Sequence, residues 1–95
     1  MWGTPKEIET RRRILVSIWA YAYEIASPPR SLVSDFTFDH ACRSVAANLA
    51  IDTNRADLDH WFRNAFCPTT GLWIHAHPEL DKIKQLFERI YLHDK

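Results

Sequence analysis

The sequence predicts a small all-α domain, in which four helices are joined by short loops. A length of 95 residues suits one domain. Apolar residues recur at three- and four-residue steps in four separate segments, as in helices that bury one face. Capping residues, prolines and a glycine punctuate those segments. We therefore expect residues 1–95 to form a single unit, with a first helical pair in 1–50 and further helices in 51–95.

The first helix has a strong start signal. Thr4 suits the N-cap, Pro5 the first helical position and Glu7 the third, which together make a capping box. Pro28 and Pro29 are predicted to end this helix, since neither can donate a backbone hydrogen bond. Its apolar stripe comprises Ile8, Leu15, Ile18, Trp19, Ala22 and Ile25.

The second helix is predicted to begin at Ser34, a good N-cap, with Asp35 favouring the positive end of the helix dipole. We expect it to fray near Ala50. Its apolar stripe comprises Phe38, Ala41, Cys42, Val45, Ala46 and Leu49.

The second half of the chain predicts two more helices. One runs roughly from Arg55 to Phe66, with Asp52, Thr53 and Asn54 as competing caps, and the segment 67–71 breaks it. Residues 72–76 suit an extended segment or a bend. The last helix is predicted to open at Pro78.

Composition excludes several classes of function. The formal net charge is zero, which argues against direct nucleic-acid binding. The basic run Arg11-Arg12-Arg13 is interpreted as a solvated helix face, with a phosphate contact as the alternative.

No apolar run approaches the ~20 residues that span a bilayer. No export signal is visible, so Cys42 and Cys67 are expected to be reduced thiols in a cytoplasmic protein.

Aromatic and acidic residues meet where the first two helices join. Rings beside carboxyl groups at such a corner suit a flat, cationic, ribose-bearing ligand. Tyr21 and Tyr23 lie about 200° apart on an ideal helix, so one is expected in the core and the other at a surface. The alternative makes Phe38 a core residue and Asp39 a solvated one. The candidate binding residues are Tyr21, Tyr23, Glu24, Asp35, Phe38 and Asp39.

Two motifs at this corner carry a family resemblance. They are Tyr21-Ala22-Tyr23-Glu24-Ile25 and Val33-Ser34-Asp35-Phe36-Thr37-Phe38-Asp39. The run 11–45 resembles the N-terminal Ia domain of bacterial NAD-dependent DNA ligases, which carries a Tyr-x-Tyr-His-Val type segment and then Ser-Asp-x-x-Tyr-Asp. The resemblance implies a helical domain that binds NAD through its nicotinamide mononucleotide half. In that family an aromatic ring stacks on the nicotinamide, and acidic residues hold the ribose and the ring.

Position by position, the resemblance makes Tyr23 the stacking ring and makes Asp35 and Asp39 the acidic contacts. Phe38 stands where the family has a second tyrosine, and Glu24 where it has a histidine. Small stand-alone proteins of phages and prophages resemble this domain and lack the rest of a ligase. Their C-terminal half resembles the segments 61–62 and 71–80 of this chain.

Ligase chemistry is excluded for this chain alone. Covalent adenylation requires a lysine in a Lys-x-Asp-Gly setting, which none of Lys6, Lys82, Lys84 and Lys95 has. The sequence therefore predicts a non-catalytic module for a nicotinamide nucleotide, which can also serve as an accessory part of a split ligase.

Two other hypotheses stay open. The first is a module that binds a separate protein partner and has lost nucleotide binding, which the residues at Glu24 and Phe38 favour. The second is a metal or thiol enzyme that uses His75, His77 and Cys67, because a His-x-His pair on an extended segment can chelate a metal. Cys42 falls on an apolar stripe, where a thiol behaves as a small hydrophobe.

Overall fold

The computed structural model describes residues 3–27, 29 and 31–92, with side chains through residue 90. Within those ranges the chain is all-α, as predicted, and has four α-helices and no strand. The helices are α1 (Pro5–Glu24), α2 (Asp35–Ala47), α3 (Ala56–Ala65) and α4 (Leu80–Phe87). A 3₁₀ helix (Leu72–Ala76) precedes α4, and a π-helical turn (Glu88–Leu92) follows it.

The capping box of α1 is confirmed. The Glu7 N–H donates to Thr4 Oγ1 at 3.2 Å, and the Thr4 N–H donates to Glu7 Oε1 at 2.9 Å. The helix ends at Glu24, one turn before the proline pair, where the Ile25 N–H donates to the Tyr21 carbonyl at 2.9 Å. Pro28 itself lies outside the described residues. Helix α1 is the centre of the fold, since α2, α4 and the 3₁₀ helix all pack against it.

The N-cap of α2 is also confirmed, because Ser34 Oγ accepts from the Thr37 N–H at 3.1 Å. This helix ends at Ala47, and its last turn passes into the turn around Asn48 and Ile51. The predicted end near Ala50 is therefore a few residues late, as is common at frayed helix ends.

The predicted caps of α3 are wrong. Arg55 occupies the N-cap position and makes no side-chain cap. Thr53 instead binds a carboxylate within the helix: its N–H donates to Asp59 Oδ2 at 2.7 Å, and its hydroxyl donates to Asp59 Oδ1 at 2.6 Å. The loop before α3 is thus fixed by hydrogen bonds to a carboxylate in the first turn of that helix rather than by an N-cap side chain.

Two further expectations about the second half need correction. Residues 72–76 are neither extended nor a bend, because they form the 3₁₀ helix, whose Ile74 N–H donates to the Gly71 carbonyl at 3.2 Å. Pro78 lies in the turn that precedes α4, which begins two residues later at Leu80.

Aromatic rings fill much of the space between α3 and the 3₁₀ helix. Phe66 and Trp73 lie 4.8 Å apart, and Trp61 and Phe62 lie 5.0 Å apart between centroids. Such tilted and edge-on pairs contribute beyond the area that they bury. Trp73 is buried in this cluster, and Trp61 is half-buried beside it.

The basic run 11–13 is only partly the solvated face that the sequence predicts. Arg13 is buried and its guanidinium donates to Glu9 Oε2 at 2.9 Å and to Asp59 Oδ1 at 2.8 Å. It also donates to the carbonyls of Asn48 at 3.0 Å and Ile51 at 3.2 Å. Since Glu9 and Asp59 are buried too, this cluster ties α1 to α3 and to the turn after α2.

Candidate functional site

A cavity of about 480 Å³ lies where the end of α1, the start of α2 and the loop before the 3₁₀ helix meet. Five of the six candidate residues line it: Tyr23, Glu24, Asp35, Phe38 and Asp39. The helix junction that the sequence singles out is therefore concave. Its size falls within the range of about 300–1,000 Å³ that is usual for small-molecule sites.

Tyr21 is the candidate that the structure does not bring to the cavity. Its side chain is 7% exposed, and its ring lies 5.4 Å from the ring of Phe87 on α4. Tyr23, by contrast, is 60% exposed at the cavity wall. The two tyrosines thus divide between core and surface, as their angular separation on α1 requires.

Several lining residues have no signal in the sequence. The sequence pattern assigns Trp19 to the apolar stripe of α1, yet its side chain also lines the cavity. Residues 69–71 belong to the predicted helix break and Leu72 to the segment after it, yet all four line the cavity. No local pattern reports that this segment folds back onto α1, because the contact is between residues about fifty positions apart in the sequence. The lining residues missed by sequence reasoning are Trp19, Ala20, Ser31, Leu32, Val33, Thr69, Thr70, Gly71 and Leu72.

Glu24 lines this cavity from the last turn of α1. Its side chain is 21% exposed and packs on Gly71, where an added Cβ would lie 3.5 Å from Glu24 Cγ. His75 Nε2 stands 4.0 Å from Glu24 Oε1, too far for a hydrogen bond. Among the described residues no side chain or backbone group donates a hydrogen bond to this carboxyl group, so its acceptor capacity is open to a ligand.

The two acids of α2 also line the cavity. Asp39 pairs with Arg43 at 3.0 Å, one turn further along the exposed side of the helix. Asp35 is exposed in the first turn of α2 and has no ion-pair partner within the described part of the chain. Three acidic side chains therefore line the cavity together with the rings of Trp19, Tyr23 and Phe38.

No family model, curated protein or solved structure matches the chain. The resemblance to the ligase Ia domain accordingly rests on the two motifs at this corner. Within the described residues, no helix has the length and apolar character needed to cross a membrane.

The histidines of the proposed metal site do not converge. His75 is exposed near Glu24, whereas His77 is buried with its ring 4.9 Å from the ring of Trp61. His77 Nδ1 accepts from the Glu79 N–H at 3.0 Å, and burial lowers the pKa of His77 to about 4. Across the described ranges, no three His, Cys, Asp or Glu side chains are grouped so that they could hold a metal ion.

The two thiols differ sharply. Cys42 is fully buried, and burial, with a smaller effect of the Asp39 charge, raises its pKa to about 12. Cys67 lies partly exposed with Sγ 3.1 Å from Thr69 Oγ1, and hydrogen bonds from Thr69 lower its pKa.

Proposed function

We propose that this chain is a non-catalytic binding module for a nicotinamide nucleotide such as nicotinamide mononucleotide or NAD. The observation that carries the proposal is the convergence of five candidate residues on one cavity, since those residues come from separate helices. The resemblance to the ligase Ia domain supplies the ligand class. The module then works beside a separately encoded adenylation domain, or it sequesters or senses the nucleotide.

The chemistry of the cavity walls supports this ligand class. The oxidised nicotinamide ring is flat and positively charged, so it gains from an aromatic face and from nearby carboxylates. Tyr23 offers an exposed ring at the rim, and Phe38 offers a half-buried one. Asp35 and Glu24 offer acceptors for ribose hydroxyls or for the carboxamide N–H groups, because neither is tied up in an ion pair closer than 4.0 Å among the described residues.

The test is isothermal titration of the protein with NAD, nicotinamide mononucleotide and ADP-ribose. We expect heat with the first two and little with ADP-ribose, which lacks the nicotinamide. Tyr23→Ala should weaken binding by about tenfold, the usual cost of losing a stacking ring. Asp35→Ala should weaken it as well. An absence of heat with all three ligands would sink the proposal.

Two matched controls separate site effects from general damage. Phe36→Ala removes a ring that is 80% exposed on the same helix but does not line the cavity. Asp81→Asn removes an exposed carboxylate on α4, far along the chain from the cavity. Both variants should bind nicotinamide mononucleotide as the unaltered protein does. If Phe36→Ala weakens binding as much as Tyr23→Ala, the cavity is not the binding site.

A second candidate function has its own observation. Tyr23, Phe36 and Leu72 are large apolar side chains that stand exposed, and Tyr23 and Leu72 also line the cavity. Exposed apolar side chains of this size are typical of protein-binding surfaces. If Phe36→Ala abolishes capture of a protein partner while all nucleotides give no heat, the interaction module is the better description.

A further inference from the structure

The charged residues that line the cavity, among those the structure describes, are all acidic. The described residues that line it include three acids, Glu24, Asp35 and Asp39, and no lysine or arginine. A cavity that recognises a phosphate usually supplies cationic side chains, a glycine-rich loop or a free helix N-terminus. None of the described lining residues has a cationic side chain that could bind a phosphate.

The lining does reach a helix N-terminus, that of α2, but this end is partly capped and carries an acid of its own. Ser34 Oγ already accepts from the Thr37 N–H at 3.1 Å, and the Ser34 hydroxyl donates to Thr37 Oγ1 at 2.9 Å. Asp35 places its own carboxyl group in the first turn. A phosphate at this helix end would therefore meet a like charge, which disfavours binding.

The acids retain their capacity to bind a cation. The Asp39–Arg43 pair is exposed, with Arg43 75% accessible, and exposed pairs of this kind interact weakly. Glu24 is mostly shielded from solvent and has its nearest basic group, among the described residues, 4.0 Å away at His75. Electrostatic attraction is stronger at such a shielded position than in open water.

We propose that the cavity selects the ligand by the charge of its ring, taking an N-glycosylated pyridinium cation in preference to its reduced, uncharged form and gaining no affinity from a phosphate. This inference rests on the proposed function and names the part of the nucleotide that the cavity reads. The rings of Trp19, Tyr23 and Phe38 hold the flat cation, and Glu24 faces its charge. A phosphate, where one is present, stays outside the cavity and adds no affinity.

The experiment compares three ligands that differ by one feature each. Nicotinamide riboside is the pyridinium nucleoside, and its monophosphate adds only the phosphate. Its dihydro form has a similar shape but lacks the positive charge on the ring. Titrations are done at low ionic strength and repeated at high ionic strength. We expect the dihydro form to bind about tenfold more weakly than the riboside, from the loss of one ring cation beside an acid. We expect the monophosphate to bind no more tightly than the riboside.

The outcomes separate this inference from the proposed function. If the monophosphate binds several-fold more tightly than the riboside, or the dihydro form binds equally well, the charge selection is overturned while nicotinamide binding stands. If none of the three ligands gives heat, both fall.

Glu24→Gln tests the residue on which the selection depends. The amide is nearly isosteric, so it keeps the packing on Gly71 and removes only the charge. We expect the ratio of riboside to dihydro affinity to fall several-fold towards one, while Asp81→Asn leaves the ratio unchanged. Circular dichroism confirms that both variants are folded. A ratio unchanged in folded Glu24→Gln would contradict the assignment of charge selection to this cavity wall.

Discussion

Replacing Arg13 with methionine should cost this domain a large part of its stability. Arg13 is 4% exposed and makes four hydrogen bonds, to two carboxylates and two carbonyls. Methionine fills a similar volume but leaves Glu9 and Asp59 as buried acids without their cation, although Glu9 keeps its contact with Arg12. Breaking a buried ion pair from one side typically costs about 3–5 kcal/mol. A domain of 95 residues has a free energy of unfolding of roughly 5–14 kcal/mol in total.

Urea unfolding followed by tryptophan fluorescence and by far-ultraviolet circular dichroism measures this loss. Arg13→Lys keeps the charge but cannot reproduce the forked geometry, so it should lose less and remain measurable if Arg13→Met is unfolded. Arg43→Met is the matched control, because its guanidinium is exposed and its change should stay below about 1 kcal/mol. If Arg13→Met also loses less than about 1 kcal/mol, the buried cluster does not hold α1 to α3 as argued.

Two further predictions concern the buried titratable groups. His77 has its pKa lowered from 6.5 to about 4, so between these values the unfolded chain binds a proton that the folded chain does not. Stability should therefore fall by about 2–3 kcal/mol as the pH drops from 6.5 to 4, and this part of the loss should be absent in His77→Asn when both are unfolded in urea across that range. Iodoacetamide at neutral pH should alkylate Cys67 first and Cys42 only after unfolding, as peptide mass spectrometry would show; equal rates in the native protein would contradict the burial of Cys42.

Features governed by neighbouring residues could be predicted from the sequence. The capping box at Thr4 and Glu7 and the cap at Ser34 each join groups three positions apart, so the local pattern is enough. The same holds for the split between Tyr21 and Tyr23, which follows from helix geometry alone. The aromatic and acidic residues at the junction of the first two helices are also close in sequence, and five of the six candidates among them line one cavity.

Features governed by distant residues could not be predicted in this way. Arg13 and Asp59 are 46 positions apart, and nothing near Arg13 indicates that a carboxylate will meet it. A shorter separation also defeats the local pattern: Thr53 looks like a helix cap, but Asp59, six positions later, accepts its donors and the cap does not form. The loop 69–72 closes the cavity only because the 3₁₀ helix docks on α1, and that docking depends on the shape of the whole core.

The most direct test of the central claim is a nuclear magnetic resonance titration of the ¹⁵N-labelled protein with nicotinamide riboside and nicotinamide mononucleotide. The account predicts that amide shifts concentrate on the residues around the cavity, in 19–24, 31–39 and 69–72, and that Phe36→Ala leaves the pattern in place. Shifts centred on α3 or α4, or no shifts with either ligand, would contradict it.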